Sequence, residues 1–136
     1  MMKALCIATL LLTGAALAYP AFASSGAGSA EGSPLAHMVF FTLKDHSKEA
    51  VDAFVKDCET YLTKHEGCVS FSVGRRAEDV EEGPSVKDFD VALHVVFADR
   101  SYRDKYLANK RHDDFVAAIK SKIEKVRVFD SYLVKP

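Results

Sequence analysis

The 136-residue chain has no Trp, only three Cys and a formal charge of just −1. Each shortage excludes something. Lys and Arg are scattered through expected helices, so there is no clustered basic face of the kind nucleic acid requires. No His, Cys or carboxylate group has the local spacing of metal ligands, and neither a metal nor another cofactor is expected. Beyond residue 23 no apolar stretch is long enough to span a bilayer. Only Cys58 and Cys68 lie beyond that point. Along an expected helix end they stand on the order of 10 Å apart, so they read as two small buried hydrophobes sooner than as a disulfide.

The N-terminus has what the rest lacks. Met1-Met2-Lys3 is a short basic start, Ala4 to Ala18 is an apolar run, and Ala21-Phe22-Ala23 fits a small-x-small cleavage site. This is the three-part pattern of a secretory signal peptide over residues 1–23, which places the mature protein outside the cytoplasm, secreted or periplasmic. No Cys stands at a lipid-attachment position. Loss of Lys3 takes the formal charge from −1 to −2. Residues 24–34 begin with SSGAGSAEGS, a flexible linker, and the folded domain is expected over 35–136.

Within that domain the apolar periodicity alternates between strand and helix. Leu35 to Leu43 (LAHMVFFTL) is apolar on both parities and reads as a strand. Ser47 is the expected N-cap of a helix carrying Val51, Phe54, Val55, Cys58 and Leu62 on one stripe, stopped by Gly67. Cys68 to Val73 is a second strand with Val69, Phe71 and Val73 on one face. Residues 75–88 form a charged connection, and Phe89 to Phe97 is a third strand. Asp99 caps a short helix to about Ala108, Asp113 or Asp114 opens another, and Val126 to Val134 closes the chain. The order β-α-β-β-α-α-β is that of an α+β, ferredoxin-like fold: a four-stranded antiparallel sheet with helices on one face. Met38, Phe40, Ala92 and Val96 leave the other face apolar. An uncovered apolar face of several hundred Å² marks an interaction surface, and a second copy of the same sheet covers it most simply. A homodimer forming an α/β barrel is therefore expected.

With that architecture in place, several motifs occur in order: HMVFFTLKD on the first strand, VSFSVG at 69–74, FDVALHVVF at 89–97, Tyr-x5-His-x2-Phe at Tyr106, His112 and Phe115, and VFDSY at 128–132. On these the chain resembles the stress-responsive α/β-barrel, or Dabb, family. The resemblance implies a homodimer with a cavity between sheet and helices. It also implies, from a polyketide cyclase branch, a Tyr/His pair acting as acid and base. Family members often have His-Pro where Asn109-Lys110 stand. Haem-degrading and quinol-type monooxygenases share the barrel, and some use a Trp that this chain lacks.

The stretch YLANKRHDDF carries the candidate chemistry. On one unbroken helix Tyr106 and His112 would lie about 120° apart. Asn109 can end a helix, and Asp113 and Asp114 favour a first turn, so a break is expected that turns both side chains toward one cavity. There they are either a proton relay for a carbonyl substrate or a polar hinge whose groups satisfy the backbone. The helix N-terminus favours a neutral His112 and the two aspartates oppose it. His37 shares a strand face with Val39 and Phe41. Asp130, polar in an apolar strand, could hold an imidazole in one tautomer. The expected pocket is thus His37, Val39, Phe41, Phe54 and Asp130. His94 is assigned to the dimer face, and His46 and His65, at helix ends, are expected to be exposed. Three functions remain open: a binding protein for a small hydrophobic or aromatic molecule, a cofactor-independent cyclase, isomerase or monooxygenase, or a dimerisation module.

Overall fold

A computed structural model describes residues 32–134. The expected leader at 1–23 and all of the linker up to residue 31 lie outside the described residues. The elements are β1 (Leu35–Leu43), α1 (Lys48–Leu62), β2 (Cys68–Arg75), β3 (Val91–Phe97), α2 (Arg100–Leu107), α3 (Lys110–Ile119) and β4 (Ile123–Tyr132). The sheet order is β2-β3-β1-β4. Every neighbouring pair is antiparallel. This is the ferredoxin-like α+β topology that the element order predicts.

Register decides which side chains reach the helices. His37, Val39 and Phe41 lie opposite Val95, Leu93 and Val91 of β3. On the other side they lie opposite Asp130, Val128 and Val126 of β4. Because side chains alternate across a strand, these rows all face the helices. The core beneath α1 is tightly filled: Phe54, Cys58, Val91 and Phe97 have no exposure. Phe41 meets Phe54 with ring centroids 4.9 Å apart, and Phe115 meets both at 6.2 Å.

The sequence misplaces several boundaries, each for a local reason. Ser47 caps α1 as expected, its hydroxyl accepting the Ala50 N–H at 3.3 Å. The helix ends at Leu62, five residues before Gly67, and Lys64 takes a left-handed φ of 58°. Gly67 serves the return to β2. Its φ is 71°, and a Cβ there would come within 2.0 Å of the Tyr102 ring. The register of β2 shifts between Cys68 and Ser70, so Val69 falls out of the ladder and is 62% exposed, whereas Phe71 and Val73 keep the inner face. β3 begins at Val91 because Asp90 is diverted: its buried carboxylate accepts the Leu43 N–H at 2.7 Å and sits 3.0 Å from His46 Nδ1. β4 begins three residues before Val126; Glu124 and Lys125 hide an edge strand whose alternation is weak. Both cysteines are free thiols. Burial pushes the Cys58 thiol up to about 12.

Among the described residues no helix lies on the opposite sheet face. Met38 lies between His94 and Phe129 across three strands. Phe40 makes edge contacts with Phe89 at 5.1 Å and Phe129 at 5.7 Å. Met38 is 37% and Phe129 53% exposed.

Candidate functional site

Asn109 creates the site. α2 stops at Leu107, and Asn109 is the N-cap of α3 with extended backbone, its side-chain oxygen accepting the Arg111 N–H at 2.9 Å. The break expected at 109–112 is present, but Asn109 opens a helix instead of closing one, and α3 starts at Lys110, ahead of the aspartates. The joint is pinned from outside by Arg111, whose guanidinium donates to the Thr63 and Thr60 carbonyls at the end of α1, at 3.0 and 2.9 Å. These carbonyls are among those a helix end leaves without partners. The result brings Tyr106 and His112 edge to face, with ring centroids 4.9 Å apart.

Tyr106 is the centre of an aromatic cluster. Its ring lies 6.0 Å from His37, 4.8 Å from His65 and 5.1 Å from Phe97. His65 is buried rather than exposed, because its Nε2–H donates to the Tyr61 carbonyl at 3.0 Å and its ring packs on Tyr106. His37 is buried beside the cluster, and its Nδ1 lies 2.6 Å from Asp130 Oδ1. Arg103 donates to the other Asp130 oxygen at 2.9 Å. One carboxylate is therefore shared by an imidazole and a guanidinium.

These groups line a cavity of about 470 Å³ between α2, α3 and the β1–β4 side of the sheet. His37, Val39, Phe41, Tyr106, His112 and Asp130 line it. Phe54 does not: it is wholly buried behind Phe41 and Phe115. Arg103, Val126 and Val128 are lining residues that sequence reasoning missed. Arg103 stands three residues before Tyr106, a spacing that shares a helix face and could have revealed it.

Protonation follows from the contacts. Nδ1 of His37 faces a carboxylate, so Nδ1 carries a proton and donates to Asp130. Nδ1 of His112 is buried with no partner. A buried orphan N–H is rarer than an under-satisfied acceptor, so the proton belongs on Nε2. Burial is the main cause holding His112 below its ordinary pKa, with His37, His65 and Arg103 acting in the same sense and Asp113 opposing. Burial raises Tyr106 above its ordinary value, so its hydroxyl stays protonated. Two imidazoles, His37 and His112, thus meet at a phenol, Tyr106. Among the described residues no group of three or more His, Cys, Asp or Glu is arranged to hold a metal ion.

The model of the stress responsive A/B barrel domain matches residues 35–133. The chain belongs to this family. No curated protein matches it. Among solved structures it is similar to a Dabb family protein with a ferredoxin-like fold from Mesorhizobium loti, at 24% identity and a TM-score of 0.64, covering 76% of this chain and 99% of that one. A dimeric ferredoxin-like protein of unknown function from Thermobifida fusca matches at 13% identity and 0.63, over 76% and 93%. The hydroxynitrile lyase of Passiflora edulis matches at 16% and 0.63, over 77% and 97%. At these identities the likeness extends to the fold.

Proposed function

We propose that this family member is an exported homodimer that holds a small, largely apolar molecule in the cavity beneath the α2–α3 joint. The observation that carries this reading is the 470 Å³ cavity itself, walled by Val39, Phe41, Leu93 and Phe115 and closed at one end by polar side chains. Apolar walls with a few convergent polar groups are the usual make-up of a small-molecule site. The bare apolar sheet face supports the dimer, as do dimeric proteins of the same fold. A charge placed on that face, Phe129→Asp, should yield a monomer whose cavity is unchanged. Native mass spectrometry of the protein purified from its own host tests both halves at once: a dimer carrying a bound small molecule is expected, and an empty monomer would sink the reading.

One observation favours a second reading, cofactor-independent proton transfer. Asp130 orients the His37 imidazole through Nδ1, with the Tyr106 ring beside it and His112, held below its ordinary pKa by burial, against the same ring. Imidazoles and a phenol around an apolar cavity suit enolisation, isomerisation or cyclisation of a carbonyl compound. Tyr106→Phe and His112→Ala that leave ligand binding and folding intact but abolish turnover of such a compound would establish it. Unchanged turnover in both would remove it.

A further inference from the structure

We propose that the occupant of this cavity is an amphipathic acid, with a flat apolar body and a carboxylate head read by Arg103. The inference rests on the ligand-binding reading above and adds the chemical class of the ligand.

The reasoning is an inventory of hydrogen-bond supply and demand. Among the described residues Asp130 is the only carboxylate lining the cavity, and both its oxygens are already engaged, Oδ1 by His37 and Oδ2 by Arg103. Donors remain in excess. Arg103 Nε–H is buried and has no acceptor. The phenol of Tyr106 and the Nε2–H of His112 line the same space. A cavity with surplus donors in an apolar setting suits a ligand rich in acceptors, since buried donors left unpaired cost stability.

Charge leads to the same class. Apart from its two histidines, the lining holds Arg103 and Lys120 against Asp130 alone, a net excess of one positive charge. Arg103 also touches Asp104 at 3.2 Å, but that carboxylate is half exposed on the outside of α2 and does not line the cavity. A guanidinium presents a planar fork of donors that matches a carboxylate, and its bonds to an anion are stronger than those to a neutral oxygen. The body of the ligand would run along Val39 and Phe41 between α3 and β4, where Phe115, Ile119, Val126 and Val128 offer no polar partner.

Three probes with one naphthalene body separate the possibilities: 2-naphthoate, the neutral ketone 2-acetonaphthone, and the cationic 2-naphthylmethylamine. Titration calorimetry at neutral pH should rank the acid about tenfold or more tighter than the ketone, with the amine weakest. Arg103→Gln should bring acid and ketone to equal affinity while ketone binding persists. Arg103→Lys should keep part of the preference, and a melting curve of each variant confirms that it folds. If ketone and acid bind equally to the wild type, or the amine binds best, the carboxylate assignment is wrong although the cavity is a ligand site. If no probe binds, both the assignment and the ligand-binding reading are overturned.

Discussion

The helix-facing side of the sheet has two halves built to different rules. Under α1, on the β3–β1 half, Val91, Leu93, Val95 and Phe97 are at most 1% exposed and Phe54 fills the space above them. On the β4 half the chemically similar Val126 and Val128 point the same way but remain 47% exposed each. A cavity separates them from α2 and α3, whose Leu107, Phe115 and Ile119 line it together with the polar Tyr106, His112 and Arg103. The difference shows where this fold spends its hydrophobic residues. One half holds the domain together, and the other is left underfilled and lined with hydrogen-bonding groups.

That contrast can be broken from either side. The largest effect belongs to the packed half: Phe54→Ala should cost about 3–5 kcal/mol in urea unfolding, because it leaves a cavity between Phe41 and Phe115 that cannot collapse. A loss below about 1 kcal/mol would mean that this half is no better packed than the other. The open half should respond oppositely. Val128→Trp, which fills the mouth of the cavity, should weaken 2-naphthoate binding about tenfold or more and change unfolding stability by no more than about 0.5 kcal/mol.

A smaller effect sharpens the electrostatic side. Burial holds His112 below its ordinary value of 6.5, so the unfolded chain takes up the proton first as pH falls. The stability that depends on a neutral His112 is intact above about pH 6.5 and is lost as pH falls through the folded-state value. The melting-temperature difference between wild type and His112→Gln should therefore move against the wild type on going from about pH 7.5 to about pH 5. A flat difference would show that the imidazole is not desolvated. The smallest effect is chemical: Cys58, buried with its thiol pushed up to about 12, should resist iodoacetamide in the folded protein and react only on unfolding, as peptide mass mapping would report.

Much of this was legible in the residues. The β-α-β-β-α-α-β order, the Ser47 and Asp99 caps, the bare apolar face and the break at Asn109 all follow from periodicity and short-range hydrogen bonding, which depend on neighbours in sequence. The His37–Asp130 pair was legible as a possibility because both break the apolar pattern of strands that a ferredoxin-like sheet places side by side. Positions set by long-range packing were not. Phe54 has the same apolar periodicity as a pocket residue, and only the ring stack with Phe41 and Phe115 places it behind the wall. His65 looks like an exposed helix end until α2 brings Tyr106 against it. The bulge at Val69 and the early start of β4 arise from pairing with strands distant in sequence.

The central claim is that the underfilled half is a binding site and the bare face is not. An NMR titration of the protein labelled at backbone and side-chain nitrogens, with 2-naphthoate as the probe, tests it most directly. The account predicts shifts concentrated at Arg103 Nε, the His112 ring, Tyr106 and Val128. Shifts confined to Met38, Phe40 and Phe129, or no shifts at all, would contradict it.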